Sequence, residues 1–175
     1  EIIGAVRSRG DDALRELALR FVRSHGPVTS ADFARWTGLG VRAARAAIRA
    51  NDDAVTEVDL DGVPYWTAAE ELEPVSGVVV LPGFDEFMLG YKDRSAMLAD
   101  EHKQQIVPGN NGVFRATVVA DGEVVATWKR TARAAADVIA VTEFVPLSAR
   151  NRKRVTAAFA PYSHYLDRPL DIRFE

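Results

Sequence analysis

The 175-residue chain contains no cysteine. That excludes disulfides and thiolate metal sites, and it fits a reducing, cytoplasmic compartment. No apolar run approaches the roughly 18 residues of a membrane span, and no basic leader with an apolar stretch is visible. The expectation is a soluble protein with no membrane partner. The three histidines, His25, His102 and His164, are scattered without metal-ligand spacing, so neither a metal nor another cofactor is expected. A glycine-rich phosphate loop is missing too, because Gly109-Asn110-Asn111-Gly112 lacks the lysine and the following helix. The longest deficit is of positive charge: residues 51–90 hold ten Asp/Glu and no Lys or Arg.

That deficit polarises a chain whose net charge is only −3. Residues 1–50 hold nine Lys/Arg against five acids, and residues 91–175 thirteen against ten. A polyanion would meet the two flanks and avoid the middle. The first residue is Glu1 rather than methionine, and the expectation is a fragment or a processed product.

Leu14, Leu17, Ala18, Phe21 and Val22 recur at helical spacing, with Asp11 and Asp12 where a helix start favours acids. His25-Gly26-Pro27 should end that helix, with the glycine in a left-handed cap. Thr29 or Ser30 can cap a short helix Ala31–Thr37, and Gly38 turns the chain into another, Val41–Ala50. At about 100° per residue, Arg42, Arg45 and Arg49 share one stripe of it, beside the docking stripe Val41, Ala44 and Ile48. Guanidiniums so placed reach phosphates or guanine edges. Val55–Leu60 and Val63–Thr67 flank Asp61-Gly62, a hairpin turn signal. Three helices and a hairpin are the winged helix-turn-helix order. The hairpin itself, with Glu57, Asp59 and Asp61, is too acidic to grip phosphate.

Residues 71–77 read as a linker between a winged-helix domain at 1–70 and a sheet-rich domain at 78–175. Val78–Leu81, Val113–Ala120, Glu123–Lys129, Val138–Val145 and Leu170–Phe174 are expected strands, with Asp121-Gly122 as a second hairpin turn. Ser95 should cap a helix through Gln105, and Ser148–Leu166 should be a helix kinked or split at Pro161. The fold class expected is α+β, the second part an antiparallel, partly closed sheet with a C-terminal helix. Asp85 and Glu86 diverge on any regular backbone and make a poor acid/base pair. Asp85 is expected as a cap, with Phe84, Phe87 and Leu89 filling the core. Arg150, Arg152, Lys153 and Arg154 surround the start of the last helix, and with Lys129, Arg130 and Arg133 they form a candidate second positive surface.

The stretch Leu81-Pro82-Gly83-Phe84-Asp85-Glu86-Phe87-Met88-Leu89-Gly90-Tyr91-Lys92-Asp93-Arg94-Ser95, followed by Asn111–Arg115 and Gly122–Trp128, resembles the bacterial winged helix DNA-binding domain-containing proteins. That superfamily includes the AlkZ/YcaQ-type DNA glycosylases. Gly26–Leu39 resembles one of its winged-helix repeats. The resemblance implies tandem winged helices, a β-barrel-like domain after them, and duplex DNA as ligand. It also implies a catalytic Gln-x-Gln pair in the family's N-terminal portion. This chain has Gln104-Gln105, adjacent and in another region, so no catalytic residue is carried over. The leading expectation is a DNA-binding protein. The alternatives are the C-terminal part of a glycosylase that repairs alkylated or crosslinked DNA, and a protein-interaction module.

Overall fold

The computed structural model describes residues 9–60, 62–68 and 75–175. The chain divides into two compact units, Glu1–Glu73 with Gly90–Asp93, and Pro74–Leu89 with Arg94–Glu175. Most of the stretch expected as a linker lies outside the described residues, as does Asp61 of the first hairpin turn.

Among the described residues, three helices and a hairpin build the first unit: α1 (Asp11–His25), α2 (Ser30–Thr37), α3 (Val41–Arg49), β1 (Thr56–Leu60) and β2 (Val63–Thr67). The apolar stripe of α1 buries Ala18, Phe21 and Val22, with Leu14 and Leu17 half-covered. The helix stops at Gly26, but not in the left-handed conformation expected, since Gly26 has φ −59° and ψ 148°. Glycine is needed there for closeness: a Cβ would lie 2.5 Å from the Val22 carbonyl oxygen, to which the Gly26 N–H donates at 2.8 Å. Thr29 caps α2 through a reciprocal capping box with Asp32. Gly38, at φ +76°, ends α2 in the left-handed region and turns the chain toward α3. On β2, Trp66 is 2% exposed and joins Phe21, Val28, Phe33 and Ile48 in one core. Truncating a buried aromatic of that kind costs about 3–5 kcal/mol.

Four residues of the Leu81–Ser95 motif, Gly90–Asp93, complete this unit. The Tyr91 hydroxyl donates to the His25 carbonyl at 2.7 Å. The Lys92 N–H donates to Asp32 Oδ1 at 2.6 Å, and Asp32 Oδ2 accepts from the Thr29 N–H and hydroxyl at 2.8 and 2.7 Å. Asp32 is 2% exposed, and a buried carboxylate is tolerated when donors satisfy it this fully.

The second unit runs β3 (Val78–Leu81), α4 (Glu86–Leu89), α5 (Lys103–Ile106), β4 (Ala116–Ala120), β5 (Glu123–Thr131), β6 (Asp137–Glu143), α6 (Ala149–Ala158), α7 (Ala160–Leu166) and β7 (Leu170–Phe174). Its five strands lie in chain order, β3-β4-β5-β6-β7. The expectation of an antiparallel, partly closed, barrel-like sheet is corrected on two counts. The sheet is open, with β3 and β7 as its edges, and β7 runs parallel to β6. The reason is the connection: α6 and α7 between β6 and β7 form a helical crossover, which returns a strand in the same direction. Ser148 caps α6 by accepting the Asn151 N–H, and Pro161 sits in the first turn of α7, so the expected helix is split.

Two further expectations change. The helix from Ser95 to Gln105 is confined to a 3₁₀ turn, Asp100–His102, and α5. Ahead of it the Met97 carbonyl accepts the Val124 N–H at 2.8 Å, so that backbone is bonded to β5 instead of to a helical turn. Asp85 does cap, accepting the Phe87 N–H at 2.9 Å. Phe84 does not fill the core: it is 55% exposed, and Met88 is buried instead.

The sheet separates two cores. On one face Val118, Ala126, Ile139 and Val141 meet Val155 and Phe159 of α6 and the residue after it. On the other, Val119 and Val124 meet Met88, Leu98 and Ile106.

Candidate nucleic-acid interface

The exposed side of α3 is set by the side it buries. Ala44, Ala47 and Ile48 pack inward, which leaves Arg42, Arg45 and Arg49 exposed. The end of the helix is tied down by Asn51, 2% exposed, whose Nδ2 donates to the Arg15 and Ala47 carbonyls, both at 3.0 Å. Arg42 has no ion pair within 4.0 Å among the described residues, and Arg45 lies with its guanidinium 5.9 Å from the centre of the Trp66 ring. Arg49 is bonded to Glu57 of β1 at 3.2 Å, an exposed pair worth at most about 1 kcal/mol. The stripe therefore presents two guanidiniums with no acid partner among the described residues and a third loosely held by the hairpin.

The second expected surface is not brought together. Arg130 Nε donates to Asp137 Oδ2 at 2.7 Å, and Asp137 is fully buried. Arg152 makes a two-pronged bond to Glu143 at 2.8 and 2.7 Å and lies over the Phe174 ring. Arg154 does the same to Asp121 at 2.9 and 2.7 Å. The Arg154 guanidinium, with the Gly77 N–H, holds the Asp121 carboxyl well below the usual carboxylate range, and Arg130 and Arg152 pull Asp137 and Glu143 down likewise. Paired so tightly, Arg130, Arg152 and Arg154 chiefly pin the sheet to its helices and turns. Arg150 and Lys153 remain exposed on α6, with no ion pair within 4.0 Å among the described residues.

Lys129 is also exposed but faces the other way. Trp128 packs edge-on against Phe159 and Tyr162 at 5.3 and 5.5 Å, so its strand neighbour Lys129 points to the sheet face away from α6. The sheet thus divides Lys129 from Arg150 and Lys153. Sequence reading missed Asp137 and Arg168. Asp137 opens β6 and pairs with both Arg130 and Arg168; its only sequence signal was a lone acid ahead of an apolar run.

The glutamines and the acidic motif hold local structure. Gln104 Oε1 accepts the Gly109 N–H at 2.9 Å. Among the described residues, no group of three or more His, Asp or Glu is placed to hold a metal ion, and no helix is long and apolar enough to cross a membrane.

Comparison with known proteins agrees with the resemblance. The family model "DNA glycosylase AlkZ-like" matches residues 3–165. An interstrand DNA cross-link repair glycosylase of Streptomyces sahachiroi is 31% identical over 130 residues, which cover 68% of this chain and 34% of that protein. The solved structure of Streptomyces sahachiroi DNA glycosylase AlkZ superimposes with a TM-score of 0.79 at 26% identity, over 94% of this chain and 46% of that one. The chain thus spans about a third of the length of the curated relative it matches. With an α+β fold that follows a solved AlkZ structure over nearly its whole length and a family match across most of its sequence, the chain belongs to the AlkZ-like DNA glycosylase family.

Proposed function

We propose that the chain binds duplex DNA, and that its first unit does so as a winged helix-turn-helix with α3 as the recognition helix. The observation that carries this is the exposed face of α3, where Arg42 and Arg45 have no carboxylate within 4.0 Å among the described residues. Alanines 43 and 46 beside them add little bulk, so the helix can approach a groove closely. Arg150 and Lys153 supply a second contact to phosphate. The division into a winged helix to residue 70, a linker at 71–77 and a sheet-rich part from 78 belongs to the same proposal.

Family membership favours a second, compatible reading. The chain is then the C-terminal portion of a glycosylase that repairs alkylated or crosslinked DNA, supplying grip rather than chemistry. No side chain here is assigned a catalytic role.

The test is fluorescence anisotropy of a labelled duplex titrated with the chain between 50 and 200 mM salt. Affinity should fall steeply with salt, and Arg42→Ala with Arg45→Ala should lower the log–log slope by about 1.8, at about 0.9 per phosphate contact. An unchanged slope in that variant overturns the assignment of α3. No binding near 50 mM salt leaves the protein-interaction module as the reading.

A further inference from the structure

The sheet of the second unit has one stretch of face that neither core covers. Successive residues along each strand alternate in direction, and residues paired across strands share a face. Trp128, Ile139 and Val141 therefore turn toward α6 and α7, while Lys129, Thr131, Val138, Ala140, Asp171 and Arg173 turn away. In register, Lys129 stands opposite Ala140 and Ala140 opposite Arg173; Thr131 stands opposite Val138 and Val138 opposite Asp171. Here the face opens into a groove of about 520 Å³, floored by Val138 and Ala140, with Arg133 and Arg173 in its lining. At about 4.8 Å between strands, Lys129 and Arg173 straddle Ala140 some 10 Å apart.

One wall of this groove is a loop held from within. Residues 132–136 are Ala-Arg-Ala-Ala-Ala, with a single side chain longer than a methyl. The buried Asp137 accepts the Arg133 N–H at 3.2 Å, and Arg168 Nη2 donates to the Arg133 and Ala134 carbonyls at 2.6 and 3.3 Å. Arg133 is thus fixed through its backbone on both sides, while its guanidinium has no ion pair within 4.0 Å among the described residues. Lys129, opposite Ala140 of the floor, likewise has no ion pair within 4.0 Å among the described residues. The acids nearby are Asp171, which is bonded to Arg173, and Glu175 at the far end of the lining. A fixed loop that carries one free arginine over a floor of small residues is preorganised for an anion that can lie close to the sheet.

We propose that this groove is a nucleic-acid site in its own right and takes the phosphates of a single DNA strand. Its lining pairs Arg173 with Asp171 and holds Glu175 at the far end, so the attraction comes from Arg133 and the neighbouring Lys129. A span of about 10 Å between strands two apart is too narrow for a duplex, and a lone phosphodiester backbone fits. With no aromatic side chain in its lining, it offers no stacking platform, so binding is indifferent to sequence and strongly salt-dependent. This inference rests on the reading of the chain as DNA-binding, but on residues that the α3 proposal does not use.

The experiment compares a labelled single-stranded oligonucleotide with the duplex of the same sequence, by anisotropy at 50–200 mM salt, on the whole chain. Lys129→Ala with Arg133→Ala removes two exposed, unpaired cations, so the fold should stand, as the melting curve will check. Expected is a weakening of single-strand binding by tenfold or more at low salt, with the slope lowered by about 1.4, at about 0.7 per contact. Arg23→Ala, which removes an exposed cation of α1 that neither proposal uses, should leave single-strand binding unchanged. Equal single-strand affinity and slope in the groove variant overturn the proposal, as does competition by millimolar inorganic phosphate, which would mark a site for the free ion. If the groove variant loses single-strand binding while Arg42→Ala with Arg45→Ala keeps full duplex affinity, the groove stands and the α3 reading falls. If the chain binds neither oligonucleotide, both fall.

Discussion

Both units are rich in arginine, yet they use it in opposite ways. In the first, α3 displays Arg42 and Arg45 with no carboxylate within reach among the described residues, and Glu57 touches Arg49 alone. In the second, Arg130, Arg152, Arg154, Arg168 and Arg173 each meet an acid. The contrast is one of folded neighbourhood rather than residue type. A guanidinium beside a buried carboxylate is part of the scaffold, because removing it strands a charge. One on a bare helix face changes little in the fold when removed and is available to a polyanion.

The sharpest way to break this comparison is Asp137→Ala. It strands Arg130 and Arg168 around an empty centre, and should lower the melting temperature of the second unit by about 10 °C, since breaking a buried pair is strongly destabilising. Calorimetry would check it; a change under about 2 °C would mean that these pairs are ornamental. Next in size is the paired replacement of Arg42 and Arg45 by alanine. Duplex affinity at 100 mM salt should drop at least tenfold, about 1.4 kcal/mol, with melting shifted by no more than about 1–2 °C. If melting falls instead, α3 is scaffold as well.

Acid should separate the units more gradually. Asp121, Asp137 and Glu143 are held below the ordinary carboxylate range by their arginines. Their contribution is therefore complete above about pH 5 and lost as the pH falls from there through their depressed values. The near-ultraviolet signal of Trp128, in the second unit, should decay with acid before that of Trp66, in the first. The smallest effect concerns strain. Phe84 sits at φ +59°, a costly conformation for a bulky residue, and is mostly exposed. Phe84→Gly should therefore stabilise the second unit by about 0.5–1 kcal/mol, visible as a melting temperature about 2 °C higher; a lower one would show that the ring's contact with Phe114 outweighs the backbone.

The parts legible in the sequence were those set by near neighbours. The Thr29 cap, the stop at Gly38, the arginine stripe of α3 and the turn at Asp121-Gly122 each depend on residues within a helical turn or a hairpin. What stayed hidden depends on distance along the chain. Arg154 meets Asp121 from 33 residues away, and an acid that announces a hairpin turn gives no sign that it will also hold an arginine. The parallel β7 was hidden likewise, because strand direction follows from where a helical crossover lands. Even the correct placement of cations on α6 could not say that Lys129 would face the other side of the sheet.

The docking of Tyr91 and Lys92 onto the first unit has a consequence for modularity. A fragment cut at the apparent linker, even generously at residue 77, would leave Asp32 without the Lys92 N–H and the His25 carbonyl without the Tyr91 hydroxyl. The helical unit is therefore discontinuous in the gene, and one crossover cannot transplant it. Recombination that exchanged everything before the linker would carry away the helices and leave behind the four residues that finish them. Natural or engineered chimaeras of this fold should work only when residues 90–93 come from the same parent as the helices they contact.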